Sequence, residues 1–558
     1  MQRKISRRSF LGSAAALGVG AAAFGLAGCS SDAKEAQPAW MPAQWDYETD
    51  IAVVGFGGAG GAAAATICSE ELGEVLVLEA APEGSEGGNT RVSGNLMFIP
   101  EDAEKAVKYQ SALNAEYVVE DELIHAWAEA IIENLEWVES LGGDMQQSKL
   151  FSPEFPELEG SDACRTFCVD GKFSEPLLWQ VLKDKEQEYG YPVLYETRAQ
   201  ELVFNPETKE VLGVKAVDSS GGEVLIKARK GVILSCGGFE NNPEMMQTYC
   251  EVGRYSVLPL GTPYNRGDGF SMIAPLGAKL WHMNNMAGNG LDYVRSCGYD
   301  SVSISKLKPS LKSFIYVAGD GKRFMYEEKH GLNRHGKIQE HGVWISIPTP
   351  NPSWCIFDQK NFDANCIVNI SPSAGGYANH NELYVAEDNE GFLEKGIIFK
   401  GDTVEELAEK ISVNPADLAK TINDYNAYCA NGKDEEYGRG EEVHDSFNMD
   451  KNVSQSVAED EGSVAVEAFD LVALEGPFYA IELSPKILNT QGGPKRSAKG
   501  EVLDVNENPI PRLYAAGEFG TIYGYMYNGG GNVSEAIATG RLAARSVSAL
   551  DSWDGANV

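Results

Sequence analysis

The segment Asp50-Ile-Ala-Val-Val-Gly55-Phe-Gly57-Gly58-Ala59-Gly60-Gly61, followed by Ala62 to Glu71 and by Glu74-Val-Leu-Val-Leu-Glu79, decides the fold. It reads as strand, tight turn, helix, strand. Ile51 to Val54 is a short apolar run of the kind buried in a parallel sheet. Gly55, Gly57 and Gly60 set G-x-G-x-x-G at the point where the strand must become a helix. The first glycine allows the turn, the second lets the backbone approach a pyrophosphate, and the third lets the helix pack close to the sheet with its N-terminal dipole facing the phosphates. Glu79 closes the second strand at the distance where an acid takes a ribose hydroxyl. The glycines alone are a weak signal, because 60 of them in 558 residues produce chance matches. With strand, helix, strand and terminal acid together, a dinucleotide site is favoured over a glycine-rich structural turn.

The next residues, Glu83-Gly-Ser-Glu-Gly87-Gly88-Asn89-Thr90-Arg-Val-Ser93-Gly94-Asn95, form a glycine- and hydroxyl-rich loop suited to folding over the diphosphate. Residues 101 to 141 carry Trp127, Ile131, Leu135 and Val138 at helical spacing and belong to the core. Tyr195 to Val217 alternates as a β-hairpin and contains Thr197-Arg198-Ala199. Lys230-Gly-Val-Ile-Leu-Ser235-Cys236-Gly237-Gly238-Phe239 is a second apolar strand running into a double glycine, where a returning segment touches the cofactor again. Arg266-Gly267-Asp268-Gly269 follows.

From residue 281 to 487 the βαβ regularity is lost, which predicts a separate mixed domain. It holds a polar loop starting at Gly319-Asp-Gly-Lys-Arg323-Phe-Met-Tyr326-Glu327 and two helices split by Asn414-Pro415. After residue 488 the first domain resumes with Leu513-Tyr-Ala-Ala-Gly517-Glu518 and Tyr527-Asn-Gly529-Gly530-Gly531-Asn532-Val533. The expected organisation is a dinucleotide domain over 47–280 and 488–550, with 281–487 inserted. No internal repeat is visible.

The N-terminus is a targeting segment. Ser6-Arg7-Arg8-Ser9-Phe10-Leu11 is a twin-arginine signal, and the mild Ala- and Gly-rich stretch after it suits export of a folded protein better than a permanent span. Leu26-Ala27-Gly28-Cys29 matches a lipoprotein cleavage box, so residues 1–29 are read as signal peptide and 30–46 as a polar linker. Lipidation at Cys29 and release as a soluble product both stay open. The net charge of −36 disfavours nucleic acid and anionic lipid as partners and leaves a cationic redox protein possible. Ten cysteines, scattered and with no C-x-x-C-H, argue for reduced thiols and no metal centre.

Taken together, Gly55-x-Gly57-x-x-Gly60, Gly87-Gly88-Asn89-Thr90, Ser235-Cys-Gly-Gly-Phe239, Gly267-Asp268-Gly269, Gly319 to Glu327, Gly517-Glu518 and Gly530-Gly531-Asn532 resemble the fumarate reductase and succinate dehydrogenase flavoprotein family, in family order across residues 47 to 547. The ketosteroid dehydrogenases and urocanate reductase belong to it. The resemblance implies an α/β protein: a Rossmann-like FAD-binding domain with an inserted α+β capping domain. It implies FAD contacts at Glu79, Gly88, Asn89, Thr90, Ser93, Gly94, Ala199, Gly237, Asp268, Glu518, Asn532 and Val533, besides Gly55, Gly57, Gly58, Ala59 and Gly60. FAD is expected to be noncovalent, because Ser85 and Glu86 stand where the membrane-complex members carry the linking histidine. The haem domain of the periplasmic fumarate reductases has no counterpart, so electrons are expected from a separate donor protein or a membrane quinol or cytochrome system.

The departures bear on substrate. A dicarboxylate reductase holds its substrate with a histidine and an arginine where Asn489 and Asn528 stand here, and loss of both cations makes fumarate a poor fit. Tyr527 and Gly531 are similar to the tyrosine and glycine with which the ketosteroid enzymes polarise a ketone oxygen. The expected activity is reduction of an activated C=C bond, in an enone or unsaturated acid, as an anaerobic respiratory electron sink. Arg334 and Tyr326 are the candidate proton donors, with Glu327, His330 and His335 able to relay charge to Arg334. Dehydrogenation of a steroid-like ketone is the reverse alternative. A flavin-binding lipoprotein without chemistry of its own is the third.

Overall fold

The computed structural model describes residues 38–173, 175–250, 258–259, 261–288, 290–294, 305–307, 311–327, 335, 337–340, 343–348, 350–370, 386–439 and 471–555. The twin-arginine segment, the Cys29 box, His330 and Arg334 lie outside them.

Strand β1 (Tyr47–Val54) lies at the centre of an eight-stranded sheet. It pairs in parallel with β2 (Val75–Leu78) on one side and with the strand Glu223–Leu234 on the other, Val53 standing opposite both Val77 and Ile233. Every residue of β2 is buried, and so is β1 from Thr49 onward, which is why both read as continuous apolar runs. Beyond Glu223–Leu234 comes the parallel strand Pro509–Ala515, so a segment near the C-terminus completes the sheet begun at residue 47. The hairpin Arg198–Phe204 and Val211–Val217 hangs antiparallel from Glu223–Leu234.

Helix α1 (Gly58–Ser69) joins β1 to β2 and is buried from Gly58 to Ile67. Residues 58–65 of it are all glycine or alanine. The C-terminal helix Gly531–Ser548 lies against α1 so closely that a Cβ on Gly540 would stand 2.3 Å from the Ala59 carbonyl oxygen. The 101–141 region divides into helices Ala103–Asn114, Asp121–Ile132 and Asn134–Ser140, with Trp127, Ile131 and Val138 in the core as their spacing predicts.

A second, mostly antiparallel eight-stranded sheet is built around Phe478–Ile487. It takes Phe314–Ala318, Ser353–Asp358, Gly290–Val294 and Ile398–Gly401 from the middle of the chain, and also Leu258–Pro259. The helices Val404–Lys410 and Pro415–Asn431 cover one face, and the Asn414 side chain caps the second of them by accepting the Ala416 and Asp417 N–H groups.

Beside this sheet Arg323 forks onto Glu327 (2.7 Å) and Asp434 (2.9 Å), and Arg439 also reaches Glu327 at 3.4 Å, all four side chains sealed from solvent. The Arg323-Phe-Met-Tyr-Glu327 motif is thereby committed to a buried ion cluster, with carboxylates and guanidiniums satisfying one another. Among the described residues no helix is long and apolar enough to cross a membrane. The described cysteines are free thiols.

Candidate active site

Parallel strands leave a crevice at their carboxyl ends where the connections diverge. Here β1, β2, Glu223–Leu234 and Pro509–Ala515 all deliver their C-terminal residues into one cavity of about 550 Å3. Of the residues the sequence assigns to the cofactor, Gly55, Gly57, Gly58, Ala59, Glu79, Gly88, Asn89, Thr90, Ser93, Gly94, Ala199, Gly237, Asp268, Glu518, Asn532 and Val533 line it. Gly60 does not. It is the contact between helix and turn: a Cβ there would stand 1.9 Å from the Gly55 carbonyl oxygen.

The chemistry of the lining fits a dinucleotide. The N-terminal end of α1 opens on the cavity through Gly57, Gly58 and Ala59, with no acidic residue in its first turn, as an anion requires. Glu79 accepts the Phe56 and Ala81 N–H groups, each at 2.7 Å, which fixes its carboxylate at the cavity edge, while burial raises its pKa against those bonds. Asn89 is held on both sides: its Oδ1 accepts the Thr262 N–H (2.8 Å) and its amide donates to Glu240 (2.9 Å) and Glu518 (3.1 Å). Asn265 also donates to both carboxyls, and the Glu518 pKa is pushed up by burial and then by the Glu240 charge. Arg198 and Asp268, which also line the cavity, form an ion pair. Asn532 donates to Asn489 Oδ1 at 3.1 Å, while its own Oδ1, buried at the cavity, has no partner among the described residues. An unpaired acceptor there fits a ring N–H of a bound flavin.

The candidate catalytic residues are placed unevenly. Tyr527 lines the cavity and is 6% exposed; burial, with Glu154 and Glu518 nearby, raises its pKa far above the usual phenol range. Gly531 does not line the cavity, and its N–H donates to the Asn528 carbonyl (2.9 Å), so it is not directed at a substrate oxygen beside Tyr527. This corrects the pairing expected from the sequence, because residues 528–531 form the turn that starts the last helix. Tyr326 is buried beside the Arg323 cluster and is not in the cavity lining. Glu327 is consumed by that cluster and cannot relay charge to the site. Arg334 and His330 lie outside the described residues.

Asn489 lines the cavity, but Asn528 does not. The Asn528 Oδ1 accepts the Tyr109 hydroxyl (2.8 Å) and the Glu154 N–H (2.9 Å), while its amide donates to the Phe151 and Gly529 carbonyls. It is a scaffold residue for the 151–155 loop.

The sequence offers His335 only as a charge relay to Arg334, and it does not single out Glu154. His335 stands in the cavity with its ring centroid 4.6 Å from that of Tyr527 and 5.4 Å from that of Phe151. Its Nδ1 is 2.8 Å from Glu154 Oε1, and Glu154, fully buried, accepts the Gly529 N–H on Oε2 at 2.7 Å. No periodic pattern links residues 154, 335 and 527, and only the fold brings them together. Among the described residues the basic side chains lining the cavity are thus Arg198 and His335, each already opposite a carboxylate.

Comparison with known proteins agrees with this geometry. A family model described as an FAD binding domain matches residues 50–534. The chain is 28% identical over 522 residues to "Probable fumarate reductase Ifc3" of Shewanella frigidimarina, covering 89% of this chain and 74% of that one. It is 26% identical over 514 residues to a urocanate reductase of Eggerthella lenta, covering 90% and 75%. The crystal structure of a 3-ketosteroid delta1-dehydrogenase from Sterolibacterium denitrificans superposes with a TM-score of 0.66 at 22% identity, over 90% of this chain and 99% of that one, and so shares the fold. The chain belongs to the FAD-binding flavoprotein family of the fumarate reductases, an α/β oxidoreductase whose cofactor is FAD.

Proposed function

We propose that the protein is an exported reductase of an activated C=C bond, acting on an enone or an unsaturated acid with one carbonyl or carboxyl handle and a larger apolar or aromatic body. It would serve as an anaerobic respiratory electron sink fed by a separate donor protein or a membrane quinol or cytochrome system. The observation that carries this reading is the buried, neutral Tyr527 phenol in a cavity whose described basic residues already face carboxylates. A dicarboxylate would bring a second charge with no cation among the described residues left to receive it, and burying an unpaired charge costs several kcal/mol. A single carbonyl or carboxyl oxygen asks only for a donor. FAD, when bound, supplies the hydride. Tyr527 donates a hydrogen bond to the handle oxygen and holds the negative charge that grows there as the β-carbon is reduced. Phe151, Leu488 and Phe173 offer apolar surface for the body of the substrate. Membership of a family with a urocanate reductase supports an unsaturated acid, and the fold of the ketosteroid enzyme supports a ketone handle.

The test is a screen of the FAD-loaded protein with reduced methyl viologen as donor against fumarate, cinnamate and benzylideneacetone. Cinnamate or benzylideneacetone should be turned over well and fumarate poorly. Tyr527→Phe should cut kcat by about 100-fold, the typical value of one donor to a developing oxyanion, with a smaller change in KM. Preferred reduction of fumarate refutes the single-handle reading, and unchanged kcat in Tyr527→Phe removes that residue from the chemistry. Oxidation of a saturated ketone, with the alkenes inert, would establish the reverse direction.

A further inference from the structure

Reduction of a C=C bond needs a proton at the α-carbon as well as a hydride at the β-carbon. Of the two donors expected from sequence, Tyr326 is not in the cavity lining. The group that the described structure does place there is His335. We propose that His335 is the proton donor of the reduction and that Glu154 is its positioning residue; the inference rests on the alkene-reductase reading above.

The geometry fixes which nitrogen does what. Glu154 as a carboxylate can only accept, so at 2.8 Å the His335 Nδ1 carries a hydrogen and donates it. Glu154 cannot swing away, since its other oxygen is bound to the Gly529 N–H (2.7 Å) and its own N–H is held by Asn528 (2.9 Å). Phe151 and Tyr527 pack the imidazole ring, at 5.4 and 4.6 Å between centroids. His335 sits at φ +52, a left-handed conformation rare outside glycine, and its carbonyl accepts the Gly288 N–H at 3.0 Å. Strain of this kind persists where the surroundings over-determine it, and it collects at functional sites. Among the described residues, Glu154, in contact, and the Tyr527 phenol are the titratable groups placed against the ring.

The step balances simply. The alkene takes a proton at its α-carbon from His335 Nε2, to match the hydride that reduced FAD, when bound, would supply at the β-carbon. The C–H bond at the α-carbon forms as the Nε2–H bond breaks. The imidazolium becomes a neutral imidazole that keeps its Nδ1–H on Glu154, and solvent later returns the proton to Nε2. Glu154 stays ionised throughout and stabilises the imidazolium before transfer, the division of labour of an orienting carboxylate beside a general acid.

The test uses FAD-loaded protein with cinnamate and benzylideneacetone as probes. In His335→Gln, turnover of whichever probe the wild type reduces should fall by about 100-fold or more. FAD content and the rate of flavin bleaching by reduced viologen should stay at wild-type values. Nitrogen NMR of histidine-labelled protein, assigned by the signals missing in His335→Gln, should show the hydrogen on Nδ1 in the wild type. In Glu154→Gln the amide oxygen keeps the Gly529 N–H, the amide N–H faces Nδ1, and the ring should turn to the Nε2–H tautomer, with kcat falling more than KM changes. Turnover within twofold of wild type in His335→Gln overturns the proposal, as does an Nδ1–H signal unchanged in Glu154→Gln. Should wild-type flavin, once reduced, be reoxidised by no alkene probe, the reductase reading fails, and this step fails with it.

Discussion

Asn528→Ala separates a scaffold role from a substrate role at the position where dicarboxylate reductases carry an arginine. In wild type the side chain makes four hydrogen bonds, to Tyr109, the Glu154 N–H and the carbonyls of Phe151 and Gly529. Alanine strands the Tyr109 hydroxyl, the Glu154 N–H and the Phe151 carbonyl, and each buried polar group left without a partner costs about 1–3 kcal/mol. Water can enter beside Phe151, which lines the cavity, so the lower part of that range applies and the total is about 4 kcal/mol. In a chain of this size that lowers Tm by about 3–4 °C. Thermal melting followed by flavin fluorescence reads it directly. Turnover should fall as well, because the loop that carries Phe151 and Glu154 loses its anchor. Asn528→Asp keeps the accepting oxygen but sets a second, charged oxygen against two carbonyls, and should melt no higher than the alanine variant. Asn528→Arg, which would restore the fumarate enzymes' cation by alignment alone, should melt low and gain no fumarate turnover. A wild-type Tm in Asn528→Ala, or fumarate reduction by Asn528→Arg, refutes the scaffold assignment.

Gly57→Val and Gly60→Ala should fail differently. A Cβ on Gly57 meets only Gly87 and Gly88 at 3.6 Å or more, so that variant should fold yet lose FAD as the side chain crowds the pyrophosphate approach, whereas Gly60→Ala drives a methyl to 1.9 Å from the Gly55 oxygen and should not fold; FAD content and circular dichroism of each decide. His282, stacked on Trp281 with its Nδ1 donating to the Thr521 carbonyl, has its pKa lowered by burial from 6.5 to about 4. Above pH 6.5 both states are neutral there; as pH falls from 6.5 towards 4 only the unfolded chain takes the proton, so stability should drop by up to about 3 kcal/mol, and a Tm–pH curve of His282→Gln should lack that part of the acid limb. Replacing Arg7 and Arg8 together by Lys should leave the protein in the cytoplasm, and normal export of that variant, seen by fractionation, counts against the twin-arginine reading.

What the sequence determined by itself was whatever chemistry is local in the chain. The β1–α1–β2 unit, its glycine turn and Glu79 announce themselves within thirty residues, because a turn that meets a phosphate needs glycines at fixed steps and a buried parallel strand needs an unbroken apolar run. The hairpin after Tyr195, the helix pair capped at Asn414 and the return of the chain near Gly517 were legible for the same reason. The tertiary structure alone decided which side chains share the cavity. Asn489 and Asn528 look alike in sequence, yet one faces the cavity and the other is turned into the 151–155 loop, since a side chain's direction at a glycine-rich turn depends on what packs behind it. Gly531 lost its expected role because its N–H is needed to close the turn before the last helix. Glu327 was taken up by the buried Arg323 guanidinium, which requires carboxylate partners, and Tyr326 was buried outside the cavity lining. Glu154 and His335, 181 residues apart, meet only in the folded chain, and contacts at that separation leave no period or spacing in the sequence to read.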